Sequence, residues 1–408
     1  MRLFAGLAQR PFALLWAGRS ISALGDGIYL MALAWWVLET TGSAAANGII
    51  LICATLPTLL LLLLGGVVVD RLPRRTLLLL SDVLRGLLVS VIAVLAGHHL
   101  LAFWHLALLS AAFGIVQAFF GPAYTSIIPE ITPREALASA NALASLSRQA
   151  TGILGPALGG LLVALGGTPA AFALDGLSFL LSAACIIAMP ALPVVAPKRG
   201  TTAHLASASV LGEVRDGLRT VLWAPWLWIT IAIAGISNVT LSGPLEAVLP
   251  LLVRERLGGS VGAYAALNAL DAVGAVMAAV ALGQVVRLRH RGPLTYGAWL
   301  VAAAALLLMG LPVGLAGVGV AMALCGAALA TLNLTWAHTL QELVPPDRLG
   351  RVASIDALGS YALLPVAYGL AGAGADRFGA PAVFVAGGAA SLVVIGLGLL
   401  HPAVRDLD

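Results

Sequence analysis

The stretch Gly66-Val67-Val68-Val69-Asp70-Arg71-Leu72-Pro73-Arg74-Arg75 decides the fold. Apolar runs of bilayer length flank it on both sides. It sets one acid and three arginines into ten residues of a chain in which only 10% of residues are charged. A connector that short joins two antiparallel spans at one face of a membrane, and cationic charge of this density marks the cytoplasmic face. Pro73 fixes φ and keeps the turn tight.

Outward from this loop, the apolar runs continue through the whole chain. It has 408 residues, of which 60% are hydrophobic, and a mean hydropathy of +1.01. A soluble core of this size does not need so much apolar sequence, so the surface faces lipid. Twelve stretches approach the roughly 20 residues that a bilayer demands. They lie at 12–38, 44–69, 76–97, 101–127, 138–166, 169–190, 225–252, 260–286, 293–312, 315–341, 350–374 and 380–401. The runs are continuously apolar rather than alternating, which excludes barrel strands and leaves an all-α membrane protein. The 46 glycines suit close helix packing. Cys53, Cys185 and Cys325 fall inside apolar runs and read as packing thiols. No cleavable signal peptide is expected, because the N-terminus runs straight into a full-length span.

Orientation follows from the basic residues. Of 22, three lie inside spans (Arg19, Arg85, Arg148). With the N-terminus inside, sixteen fall on the cytoplasmic side and three (Arg254, Arg256, Arg377) on the other. The positive-inside rule then puts both termini in the cytoplasm. The net charge of +4 reflects these loop arginines, and no basic stretch interleaved with aromatics points to nucleic acid.

The chain divides into a six-span half over 1–190, a cytoplasmic linker over 191–224 and a second six-span half over 225–408. The linker opens Pro-rich and ends amphipathic: Val210, Leu211, Val214, Leu218, Val221 and Leu222 recur at helical spacing opposite Glu213, Arg215, Asp216 and Arg219. That pattern predicts a helix on the inner membrane surface. The halves repeat. Glu130-Ile131-Thr132-Pro133-Arg134-Glu135-Ala136-Leu137 aligns without gaps with Glu342-Leu343-Val344-Pro345-Pro346-Asp347-Arg348-Leu349. A degenerate copy of the charged loop runs from Gly283 through Arg287, Arg289 and Arg291. A duplicated six-span unit points to pseudo-symmetric halves about a central cavity.

The pattern Gly66-x-x-x-Asp70-Arg71-x-x-Arg74-Arg75 resembles the signature loop between the second and third spans of major facilitator superfamily transporters, with Pro73 where that family usually has Gly. The run Leu14 to Asp26 resembles the first span of the macrolide-efflux branch, which also includes the enterobactin exporter. Thr41-Gly42-Ser43, Ser81-Asp82-Val83-Leu84-Arg85 and Leu174 to Phe179 fit the same branch. Gly155-Pro156-Ala157-Leu158-Gly159-Gly160 is similar to the motif associated with antiporters, with Gly152 one place off the usual upstream spacing. The resemblance implies proton-driven drug export from a bacterial plasma membrane, the cell inner membrane, by a monomer.

Ionisable groups inside spans cost about 2.5–3.5 kcal/mol each on insertion scales, so each needs a partner or a water-filled cavity. Asp26 lies about 21 Å of helix into the first span, with Arg19 seven residues earlier on the same face. The pair reads either as a proton-exchanging acid with its counter-charge or as a static helix–helix contact. Asp271, near Asn268, and Glu246, after Gly243-Pro244, are the other candidate proton carriers, and Glu246 also fits an interfacial position. Asp175 is read as a structural hydrogen-bonding residue near the outer surface. Arg19, Trp35, Gln117, Arg148, Asn238, Asn268, Asn333, Trp336 and Tyr361 are candidate lining for a drug-sized cavity. Gly66, Asp70, Arg71, Arg74, Arg75, Asp82, Arg85 and Asp356 are candidates for a charge network closing the cytoplasmic side, with Asp70 set against the start of the eleventh span.

No Gly-rich phosphate loop with Lys and Ser/Thr appears, so ATP is not the direct energy source and no cofactor is called for. His98, His99 and His105 read as solvated loop residues rather than metal ligands. A membrane-embedded enzyme would need a nucleophile–base pair or a metal cluster at mid-depth, and the sequence offers neither. Siderophore or lysophospholipid export, or a sensor that no longer moves solute, are the alternative readings. The partners expected are a small-molecule substrate, protons and the lipid bilayer.

Overall fold

The computed structural model describes residues 2–190, 210–284 and 289–408; within these, the side chains of 2–3, 62–71, 153, 210–216 and 346–347 lie outside the described residues. The described chain is helical, with no strand. Its main helices are α1 (Arg10–Thr41), α2 (Ala44–Arg71), α3 (Arg74–Gly97), α4 (Phe103–Ile131), α5 (Leu137–Ile187), α6 (Val210–Trp223), α7 (Pro225–Ser237), α8 (Leu249–Arg256), α9 (Val261–Gly283), α10 (Arg291–Gly310), α11 (Gly314–Leu343), α12 (Pro346–Tyr361), α13 (Leu364–Phe378) and α14 (Ala380–Leu400).

Among the described residues, eleven continuous stretches are long and apolar enough to cross a membrane. One of them, Arg134–Ile187, has 54 residues, more than twice the roughly 20 that one crossing needs. It breaks at Gly167, whose φ of 74° and ψ of 175° leave the helical region. Glycine alone adopts that geometry at no steric cost, and Pro169 two residues on cannot donate back into the turn before it. The stretch therefore supplies two crossings, the predicted fifth and sixth spans, and the total among the described residues is twelve.

Two other departures from ideal helix have local causes. Between α7 and α8 the backbone widens into π-helical turns at Asn238–Ser242 and Pro244–Val248. Pro244 lacks the N–H that an α-helical turn would use, and the wider turns absorb the mismatch. The eleventh span, expected as one helix over 350–374, is instead two. Pro365 removes a donor to Tyr361 and crowds its carbonyl, so α12 ends at Tyr361 and α13 starts at Leu364.

Contacts gather the chain into two compact units. One comprises Met1–Ala191, Glu246–Ala272 and Tyr368–Ala380; the other comprises Leu192–Leu245, Val273–Ala367 and Pro381–Asp408. The first unit thus takes segments from both sequence repeats. Within it, α1 lies along α5, and α3 packs on both α4 and α5. The α1–α5 crossing depends on glycine: a Cβ on Gly27 would sit 2.8 Å from the Gly155 Cα. No side chain larger than hydrogen fits between backbones that close.

In the second unit, α10 packs on α11, and α12 packs on α7 and α6. The predicted linker helix appears as α6; the Pro-rich segment 191–209 before it lies outside the described residues. On α6, Val221 is buried in a small core with Leu227, Ile231, Leu340, Val344 and Val352, while Leu218, Leu222 and Trp223 are exposed. Each unit also carries one copy of the same ion pair. Arg74 at the start of α3 pairs with Glu130 at the end of α4, and Arg291 at the start of α10 pairs with Glu342 at the end of α11. These are equivalent places in the aligned repeats.

Candidate functional site

Two places concentrate polar chemistry inside the spans. The first is a charge cluster among α1, α3, α4 and α5. Asp82 and Arg85 stand one helical turn apart on α3, and both are fully buried. The Arg85 Nη2 donates to Asp82 Oδ1 at 2.5 Å and its Nη1 to Gln117 Oε1 at 2.8 Å. Its Nε faces the Ser81 carbonyl oxygen at 3.3 Å. The second Asp82 oxygen accepts from Ser182 Oγ on α5 at 2.6 Å. The guanidinium lies 4.1 Å from the Phe120 ring centroid and 4.5 Å from that of Phe179. Each guanidinium nitrogen and both carboxylate oxygens thus have a partner, which favours holding a buried ion pair, and the ring faces add cation–π attraction.

Arg19 and Asp26 stand beside this pair on α1. They are bonded to each other at 3.1 Å, and both side chains are partly exposed, at 22% and 26%. Arg19 also reaches Ser22 and lies 5.0 Å from the Phe120 centroid. Asp175, on α5, completes the group: it is fully buried, and its Oδ1 lies 3.2 Å from Ser178 Oγ.

The second place is a cavity of about 240 Å³ in the second unit. Its wall includes Asn238, Trp299, Asn333, Trp336, Asp356 and Tyr361. The Trp336 Nε1–H donates to Asp356 Oδ2 at 3.1 Å, and Asn238 Nδ2 donates to the Ser360 carbonyl oxygen at 2.7 Å. Asn238 sits in the first π turn and Tyr361 at the break between α12 and α13. Both backbone irregularities therefore border the cavity, a placement common at binding sites.

The predicted site residues distribute between these places and elsewhere. Four of the expected lining residues, Asn238, Asn333, Trp336 and Tyr361, meet around the cavity. Asp356 joins them there, while the side chains of Gly66, Asp70 and Arg71, its expected partners in the gate, lie outside the described residues. Gln117 is engaged by Arg85. Trp35 is buried, donates to Glu39 and stacks on Tyr264 at 6.4 Å. Asn268 donates to the Tyr264 carbonyl oxygen one turn back. Asp271, half-buried on α9, has no hydrogen-bonded partner among the described residues. Arg148 is exposed on α5. Arg75 donates to the carbonyl oxygens of Ile186 and Ile187, the last of α5, and so caps that helix end. Gly155 and Pro156 lie against Gly27, and Gly159 packs on Ile28. Gly160 faces Ala265 of α9 with no room for a Cβ.

A further set of contacts lies in the first unit where α1 gives way to α2. The Asp376 carboxylate at the end of α13 accepts from Ser43 Oγ and from the backbone N–H groups of Ala44 and Ala45. Arg254 donates to the Leu38 carbonyl oxygen at 2.6 Å, and Asn47 to the Glu246 and Ala247 carbonyl oxygens. Tyr368 donates its phenol O–H to Glu246 Oε2 at 2.5 Å. Anions at the helix N-terminus and a cation at the helix C-terminus match the helix dipoles. Neither Asp376 nor Ser182 is among the site residues expected from the sequence. An acid at the last turn of an apolar span was the available signal for the first; nothing marked the second.

Helices of membrane-crossing length, with buried paired charges in one unit and a polar-walled cavity in the other, fit a multi-span membrane transporter. A family model for the Major Facilitator Superfamily matches residues 15–364, and the chain belongs to that superfamily. It is 22% identical over 405 residues to macrolide efflux protein A of Streptococcus pyogenes, with 97% of this chain and 96% of the relative covered. It is 29% identical over 406 residues to the multidrug efflux pump Tap of Mycolicibacterium fortuitum, covering 98% and 97%. The expected kinship with the macrolide-efflux branch is borne out. Among solved structures, a D-xylose-proton symporter superposes with a TM-score of 0.71 at 14% identity, covering 95% of this chain and 97% of that one. A POT family transporter in complex with a thioalcohol-conjugated peptide gives 0.73 at 14% identity, covering 96% of each. At that identity the structures share the fold alone.

Proposed function

We propose that the chain is a proton-coupled secondary exporter, an antiporter that moves amphipathic drug-like molecules out across a bacterial plasma membrane by alternating access. The six-span halves 1–190 and 225–408, tethered by 191–224, are the moving bodies. Both termini face the cytoplasm, and the protein works as a monomer without a cofactor. The observation that carries the reading is the cluster of five ionisable side chains within the spans, two of them, Arg19 and Asp26, only partly buried. A static bundle gains nothing from charges this costly, whereas a proton-exchanging site needs them.

The cavity supplies the substrate side. Its 240 Å³ falls below the roughly 300–1,000 Å³ that envelops a drug-sized ligand, so it takes one moiety of a larger molecule. An acid among indole and phenol rings favours a protonated amine carried on an apolar body. Asp26, Asp271 and Glu246 are the proton carriers in this reading. Release on the outer side requires the Asp376, Arg254, Asn47 and Tyr368 contacts to part. Gly66, Asp70, Arg71, Arg74, Arg75, Asp82 and Arg85 serve the opposite gate. The Gly155-Pro156-x-x-Gly159-Gly160 run gives α5 a surface smooth enough to pack closely on α1 and, at Gly160, on α9.

Efflux of erythromycin and tetracycline from cells expressing the chain tests the reading. Wild type should lower accumulation of at least one, and D26N should abolish that effect at equal membrane abundance. Equal efflux by wild type and D26N removes Asp26 from the mechanism. No efflux of any compound across a panel that adds dyes and siderophores sinks the exporter reading.

A further inference from the structure

We infer that Asp175 holds the one proton of the charge cluster at rest and yields it through Asp26 during transport. The inference rests on the proton-coupled reading above and adds to it a residue that the sequence marks only as structural.

Charge balance is the first ground. The cluster contains two guanidinium groups, Arg19 and Arg85, and three carboxyl groups, Asp26, Asp82 and Asp175. Arg19 is bonded to Asp26 and Arg85 to Asp82, which leaves no cation for Asp175. The ionisable groups set near Asp175 include Asp26, Arg19 and the Tyr29 phenol from α1 and Arg85 from α3. An unpaired anion sealed from water is far costlier than the neutral acid.

Hydrogen positions are the second ground. Ser178 Oγ lies 2.8 Å from the Asp175 backbone oxygen and 3.2 Å from Asp175 Oδ1. A hydroxyl has one proton to give, and the shorter contact to the backbone oxygen claims it. An ionised Asp175 would then face a lone pair on Ser178 Oγ with nothing between them. A protonated Asp175 resolves both contacts, because its O–H donates to Ser178 Oγ. The other oxygen, Oδ2, is buried and has no hydrogen-bond partner among the described residues. That is tolerable for the carbonyl oxygen of a neutral acid and prohibitive for a carboxylate.

The route out is the third ground. A Cβ on Gly25 would overlap both Asp175 Oδ1 and Ser178 Oγ, so α1 yields space to this carboxyl at the residue next to Asp26. Asp26 is partly exposed, whereas Asp175 is not. In the step proposed, the Asp175 O–H proton passes to the Asp26 carboxylate as the Arg19 contact loosens. Asp26 then releases it to water, leaving Asp175 ionised and the cluster one charge more negative. A cationic substrate moiety would be drawn in by that charge, which couples the two movements.

Infrared spectroscopy of the purified full chain at neutral pH tests the resting state without a substrate. Wild type should show the carbonyl stretch of a protonated carboxylic acid, shifted in deuterium oxide. That band should be missing from D175N and moved in S178A, which takes away the acceptor. A band unchanged in D175N overturns the assignment. S178A keeps the test open if D175N does not fold, and an unmoved band there overturns it equally. The transport step is read by proton release on adding erythromycin to proteoliposomes in weak buffer. D175N should release less than a tenth of the wild-type protons at saturating drug, and should bind the drug more weakly than wild type because it never takes on the negative charge. Wild-type release by D175N refutes the role of Asp175. If wild type itself releases none, the coupling reading above falls instead.

Discussion

Substituting Asp82 by Asn strips the charge from one member of the buried pair and leaves Arg85 in place. Both residues are inaccessible to solvent, and the Arg85 guanidinium lies against the rings of Phe120 and Phe179. No water can take over from the lost carboxylate. Removing one partner of a buried pair costs about 3–5 kcal/mol, because the remaining ion stays desolvated and uncompensated. At roughly 2 °C per kcal/mol for a chain of this length, the melting temperature in detergent should fall by about 6–10 °C. S182A removes only the 2.6 Å bond to the second Asp82 oxygen and should cost about 1.5–3 kcal/mol, a smaller drop. The double variant D82L/R85M replaces the pair by apolar groups of similar volume and should recover most of the loss. Tryptophan fluorescence melts of the purified proteins give all three values. A D82N protein that melts with wild type would refute the reasoning, as would a double variant worse than D82N.

Four further outcomes are expected. G155V forces a branched side chain into the Gly27 contact and should destabilise by about 1–3 kcal/mol or more; G152A, at a position with open space, should be neutral in the same melts. D376A removes the acceptor for three donors at the start of α2. A lost cap of this kind is worth about 0.5–2 kcal/mol, so exchange of the Ala44 and Ala45 amides should speed roughly 2–30-fold by mass spectrometry. W336F deletes the bond to Asp356. At about 1.5 kcal/mol for a bond to a charged group, drug binding by equilibrium dialysis should weaken about tenfold. The Asp408 carboxylate accepts from the His290 N–H at 2.7 Å, and that bond holds its carboxyl below the usual carboxylate range. A depressed folded-state value favours the bond above about pH 4 and lets it go as pH falls further. Exchange of the His290 amide, corrected for its intrinsic pH dependence, should therefore rise only in that acid window.

The spans were legible because lipid imposes a simple rule: length and apolarity decide them. The break at Gly167 falls between the fifth and sixth predicted spans, and the Glu130 and Glu342 repeats became matching ion pairs with Arg74 and Arg291. The split of the eleventh span was readable from Pro365, since the proline rule names Tyr361 as the last good turn. Side-chain partnerships were not readable. Gln117 meets Arg85 across 32 residues, and Ser182 meets Asp82 across 100. Helical periodicity fixes which face a residue occupies but not the rotation of that helix against its neighbours. Asp356 shows the consequence: the sequence places it near the start of the eleventh span but does not reveal that it meets Trp336 on the cavity wall. Asp175 was weighed by depth alone, and only the Ser178 and Gly25 contacts set it apart from a packing residue.

The most direct measurement of proton-coupled export is drug accumulation in proteoliposomes with an acid lumen, in excess of protein-free vesicles under the same gradient. The account predicts erythromycin uptake above its external concentration, lost when an ionophore collapses the pH difference and absent in D26N. Accumulation that ignores the pH difference, or that persists in D26N and D175N alike, would contradict it.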